Sequence, residues 1–224
     1  MQNDNIVITR QTESALATNA VLRNTYILLG LTLAFSAITA GLAMVSGARP
    51  LNPFITLIGY FGLLFVTSRL RESVWGIAAV FALTGFMGYT LGPIISFYVH
   101  SFTNGSQLVM MSLGATGLIF FALSGYALVS RKDFSFMGGF IMAGMIVAFL
   151  AGLGNLFFHI SGLMIFVSAA FVLLSSGVIL MQTSSIISGG ERNYIMATVT
   201  LYVSLFNIFI SLLQLLGIFG GNRE

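Results

Sequence analysis

The sequence predicts an all-α integral membrane protein with seven transmembrane helices. Three observations carry this. Of the 224 residues, 57% are hydrophobic and 7% are charged, whereas a water-soluble domain is normally about one-quarter charged. The apolar residues come in continuous runs of about twenty, the length at which a helix crosses the hydrocarbon core of a bilayer. Every Asp, Glu, Lys and Arg falls at the end of a run or between runs, which avoids the roughly 2.5–3.5 kcal/mol that a charge at a helix centre costs on insertion scales.

Residues 1–22, MQNDNIVITRQTESALATNAVL, are polar and carry both acids and bases, so they lack the apolar core of a signal peptide and read as a cytosolic tail. Residues 23–224 form one transmembrane domain with no room for a second. Runs broken by charges or turn clusters place the spans near 26–47, 52–68, 74–98, 107–130, 135–158, 162–187 and 194–219. A membrane β-barrel would instead alternate polar and apolar residues in segments of about ten. Helices satisfy their own backbone groups, as the bilayer interior requires.

Counting bases on alternate sides sets the orientation. Arg10, Arg23, Arg69, Arg71, Arg131, Lys132 and Arg192 fall on the N-terminal side, against Arg49 and Arg223 on the other. The positive-inside rule then puts the N-terminus in the cytosol and, after seven crossings, the C-terminus outside. His100 and His159 fall outside as well. The bases come in ones and twos, not in a stripe, which argues against nucleic acid.

Inside the spans the polar residues are Asn155, Gln182, Asn207, Gln214 and many Ser and Thr, a composition suited to hydrogen bonds between helices. Gly88 and Gly92 form a small-xxx-small pair that permits close helix contact. Pro93 follows it and is a candidate kink. Without Cys there is no disulfide and no thiolate site. No HExxH, GxSxG, Walker loop or metal-spaced His cluster occurs, so the sequence predicts neither an enzyme nor a metal or organic cofactor. The NGS triplet at 104–106 would accept a glycan only in a secretory pathway.

Three segments resemble the Bax inhibitor-1 family, also called the TMBIM family, and within it the proteobacterial branch that modulates the membrane AAA protease FtsH. They are VLRNTYILLGLTLAFSAITA, with Arg23 and Tyr26; RKDFSFMGGF, with Arg131, Lys132, Asp133, Phe134 and Gly138; and ERNYIMATVTLYVSLFNIFISLLQLLGIFG, with Leu201, Tyr202, Asn207 and Phe209. The resemblance runs from about residue 21 to the end. It implies six helices packed around a central C-terminal helix, in a bacterial inner membrane.

Some bacterial members of the family are pH-sensitive calcium leak channels gated by two aspartates on the last two helices. The matching positions here are Gln182 and Ser204, which cannot titrate, although they could hydrogen-bond across the two helices and hold a closed state. Arg69 and Arg71 fall near the basic residues that hold those carboxylates and, lacking acidic partners, read as topology anchors. Hard divalent cations need carboxylates or several carbonyl oxygens, so a cation leak is the alternative expectation. The leading one is a regulator that binds FtsH and limits its degradation of other membrane proteins. The flexible segment from Met1 to Ala20 would serve as the protease's handle and the packed bundle would make the chain a slow, competing substrate.

Overall fold

The computed structural model describes residues 2–158 and 160–222, with side chains from Thr18 onward apart from Ser161. Among them all regular structure is helical: α1 (Gln2–Val45), α2 (Pro53–Leu70), α3 (Trp75–Ser101), α4 (Gly105–Ser130), a 3-10 turn (Ser135–Met137), α5 (Gly138–Phe158), α6 (Ser161–Ile187) and α7 (Tyr194–Gly220). All seven α-helices are long and apolar enough to cross a membrane.

The largest departure from the sequence expectation is at the start. The polar segment expected as a flexible tail forms the first turns of α1, ahead of the apolar run that follows Arg23. No Gly or Pro occurs before Gly30, so no residue there breaks the helix backward from the span. Met1, His159, Arg223 and Glu224 lie outside the described residues.

Helix ends follow local chemistry. Gly47 and Gly189 adopt positive φ, at 63° and 77°, the left-handed conformation in which a glycine closes a helix. Pro53 opens α2 behind Asn52, whose side chain accepts from the Phe54 N–H. Asn193 caps α7 by accepting from the Met196 N–H at 3.0 Å. α3 continues through Pro93 to Ser101.

Six helices surround α7, but not equally. α1, α3, α4 and α6 pack directly on it, while α2 leans on α3 and α5 on α6. Half of the most apolar stretch of α7 is buried, against 6% for α2 and 11% for α5, so the latter two are an outer layer facing lipid. α1 and α3 meet closely at the Gly88–Gly92 pair. A Cβ at Gly92 would stand 2.6 Å from the Ala43 Cβ and 2.7 Å from the Ala40 carbonyl oxygen, and one at Gly88 would strike the Ser36 carbonyl. The central core includes Leu29, Val80, Leu83, Ile179, Leu201 and Ile208.

Candidate functional site: a polar seam along the last helix

Among the described residues sixteen polar side chains are buried, five of them on α6 and three on the central α7. Its two sides do different things. On one side Tyr202, fully enclosed, shares a 2.6 Å hydrogen bond with the Ser36 hydroxyl of α1 and donates to the Thr84 carbonyl of α3 at 3.2 Å. One phenol thus ties three helices.

The other side of α7 meets α6, and two sets of bonds fix the register. Ser168 Oγ donates to Gln214 Oε1 at 2.8 Å. Near the opposite end, Thr183 and Thr198 both reach the same turn of α1. Thr183 Oγ1 lies 3.4 Å from the Tyr26 hydroxyl, and Thr198 Oγ1 donates to the Thr25 carbonyl at 3.3 Å. Stepping by sevens from Ser168 along α6 gives Ser175 and Gln182. Stepping back by sevens from Gln214 along α7 gives Asn207 and Thr200. Carried along the helices at heptad spacing, the register of the Ser168–Gln214 bond sets Ser175 level with Asn207 and Gln182 level with Thr200, giving the antiparallel seam three polar levels.

Only the first level is closed. Ser175 Oγ and Gln182 Nε2 are buried without a hydrogen-bond partner, and the Asn207 side chain has none among the described residues. Ser204 Oγ donates to the Thr200 carbonyl of its own helix at 2.8 Å. The expected bond between Gln182 and Ser204 is therefore absent. A serine hydroxyl within a helix readily turns back to the carbonyl four residues earlier, and the register sets Ser204 a turn beyond the level of Gln182.

Beside the seam a groove of about 830 Å³ opens between α2 and α5. Apolar side chains line it, including Phe61, Phe86, Met145, Phe149, Phe171 and Val203, while Thr200, Ser204 and Asn207 form a polar strip along α7. An edge-to-face contact between Phe61 and Phe149, 5.8 Å between ring centroids, bridges the outer helices.

At the basic end, neither Arg69 nor Arg71 engages the gate positions. Arg69 lies over the Phe65 ring, 5.5 Å from its centroid. Arg71 pairs with the adjacent Glu72 at 3.5 Å, and both are exposed. Asn193 joins this loop to α7, donating to the Arg71 carbonyl at 2.9 Å and to Glu72 at 3.2 Å. Ser184 of α6 pins the loop after α4, donating to the Lys132 carbonyl at 2.7 Å and accepting from the Phe134 N–H. Arg131 makes the sharp turn there with φ at 50°. Asp133 accepts from the Ser135 N–H at 2.8 Å, and that bond holds its carboxyl below the usual aspartate value.

At the other end Asn104 donates to the Gly220 carbonyl at 2.7 Å and accepts from the Asn222 N–H at 3.0 Å. The asparagine of the NGS triplet thus fastens the end of the chain. His100 Nδ1 donates to the Ser96 carbonyl at 2.7 Å. Among the described residues no three His, Cys, Asp or Glu side chains stand close enough to hold a metal ion.

Reading polar residues singly overlooked Ser36, Ser168, Ser175, Thr183, Ser184 and Asn193. The signal for both sides of the seam was present, since Thr200, Asn207 and Gln214 recur by sevens as a helix seam requires, as do Ser168, Ser175 and Gln182.

The comparisons with known proteins cover nearly the whole of this bundle. The family described as inhibitor of apoptosis-promoting Bax1 matches residues 18–221. An uncharacterised protein of Pseudomonas aeruginosa is 55% identical over 204 residues, 91% of each chain. The modulator of FtsH protease YccA of Escherichia coli K12 is 50% identical over 204 residues, 91% of this chain and 92% of its own. A membrane protein of Vibrio cholerae is 41% identical over 215 residues, 96% of each. With six apolar helices arranged around the seventh and a family match over residues 18–221, the chain belongs to the Bax inhibitor-1 family.

Proposed function

We propose that this protein regulates the protease FtsH in the bacterial inner membrane, binding it and limiting its degradation of other membrane proteins as a slow, competing substrate. The observation that carries this reading is the 50% identity, over nine-tenths of both chains, to a protein named modulator of FtsH protease. A second E. coli relative with the same identity is named inner membrane protein, which supports the location. The excess of bases at the end holding Arg69, Arg71, Arg131, Lys132 and Arg192 supports a cytoplasmic N-terminus and a periplasmic C-terminus.

The shape of α1 fits the mechanism. Its 44 residues span about 66 Å as a helix, well beyond a hydrocarbon core of about 30 Å. The polar turns ahead of the apolar run thus extend beyond it as a handle on the side where bases collect. A polar helical extension unwinds at low cost, whereas the bundle behind it is cross-tied at Tyr202, Ser184, Asn193 and Asn104. An enzyme pulling on the handle would meet rising resistance at the membrane.

The test follows the half-life of an FtsH membrane substrate in cells with and without excess of this chain, full-length or lacking residues 2–20. The expected result is slower decay and co-purification of FtsH with the full-length form, and loss of the slowing with the truncated form. Equal substrate half-lives under all conditions would overturn the regulator reading. Protection by both forms would leave regulation standing and remove the handle.

A further inference from the structure

We infer that the groove between α2 and α5 is a docking site for a transmembrane helix of the protease, one carrying an amide or hydroxyl side chain near its midpoint, and that Asn207 is its anchor. This deepens the FtsH reading and rests on it.

The occupant is argued from depth. Asn207 stands thirteen residues from either end of α7, about 20 Å along the axis from each. Its carboxamide offers two donors and an acceptor, and none is used among the described residues. The residue lines the groove floor and is partly exposed to it. Ser175, on the same level of the seam, also leaves a buried hydroxyl unbonded. An unsatisfied amide in hydrocarbon is costly, so the site favours an occupant that brings a hydrogen bond to this depth.

Phospholipids do not, because their polar groups lie outside a core about 30 Å thick. Water is disfavoured by a mainly apolar lining, in which Thr56, Tyr60, Ser68 and Thr90 are the polar side chains besides the α7 strip. A helix crossing the same bilayer does, since a polar side chain near its midpoint lies at the level of Asn207. Access is from the side, where α2 and α5 face lipid and Phe61 is 47% exposed.

A photoreactive phenylalanine analogue placed at Phe61, on the rim, or at Leu118, exposed on α4, reads the contact in cells containing FtsH, with co-purification scored separately. The expected result is an FtsH adduct from position 61 and not from 118. Asn207→Leu should lower its yield about fivefold, the value of one membrane hydrogen bond. Asn207→Gln should restore it, and Val203→Trp, which fills the groove, should abolish it. Thermal unfolding in detergent checks that each variant is folded, and Asn207→Leu should unfold no earlier than wild type because it removes an unpaired amide. FtsH that co-purifies without a position-61 adduct, or with an adduct unchanged by Asn207→Leu, overturns the groove alone. FtsH that neither co-purifies nor forms an adduct overturns the regulator reading and the groove with it.

Discussion

Two buried polar residues on neighbouring helices illustrate how the same chemistry stabilises in one place and costs in another. The Tyr202 hydroxyl has partners on α1 and α3, whereas Gln182 Nε2 has none. A satisfied interhelical bond in a membrane protein contributes on average about 0.6 kcal/mol and up to about 1.7, and an orphaned buried donor costs about 1–3 kcal/mol. Tyr202→Phe and Gln182→Leu should therefore move stability in opposite directions. Tyr202→Phe is expected to lower it by about 1 kcal/mol, with Ser36→Ala adding little on top because the two share one bond. Gln182→Leu is expected to raise it by a similar amount. Thermal unfolding in one detergent, with the double variant to close the cycle, checks the signs. A fall with Gln182→Leu would mean that its amide is satisfied by a group outside the chain. The sequence pointed to Gln182 and Tyr202 as polar residues inside spans, but burial and partners depend on which helices meet, and no local pattern carries that.

At the scale of elements, the helices were legible and their connections were not. Runs of apolar residues and the breaks at charges reflect the thickness of the bilayer, a constraint that acts on each span separately. α1 departs because the bilayer says nothing about where a helix stops once it has left the membrane. That α3 makes a close helix contact was legible in Gly88 and Gly92, whereas its partner, α1, is set by the packing. The loop after α4 was not, since its anchor Ser184 is fifty-two residues from Lys132. That loop carries a pH dependence. Asp133 is held below the ordinary aspartate range by the Ser135 N–H, so its contribution to the folded state is complete above the unfolded value and is lost as pH falls through the lowered one. Wild type and Asp133→Asn should then differ in unfolding temperature at neutral pH and converge in acid. A difference that persists undiminished in strong acid would show that the substitution acts through packing instead.

For the whole molecule, the central question is whether the family's two-carboxylate gate is missing only its acids or also its geometry. Sequence matching sets Gln182 beside Ser204 as equivalent gate positions, which implies that restoring both acids restores a coupled pair. The seam register separates them. Thr200 is level with Gln182, and Ser204 lies four residues further along α7, about 6 Å along the axis. Ser204 also turns into the groove beneath α2 and α5, whose lining does not include Gln182. Two carboxyls share a proton only when they are close, so Gln182→Asp with Ser204→Asp should not create a coupled pair. The purified double variant in liposomes is expected to pass no more calcium than wild type at any pH from 6 to 8, and to be less stable than wild type because two ionisable groups are buried without partners. Gln182→Asp with Thr200→Asp sets the acids on one level and is the pair expected to interact, seen as a stability change that departs from the sum of the single substitutions by at least about 0.5 kcal/mol. Calcium flux from the Ser204 pair, with additive behaviour from the Thr200 pair, would mean that α6 and α7 slide by a turn in the membrane and that the open levels of the seam are where they do so.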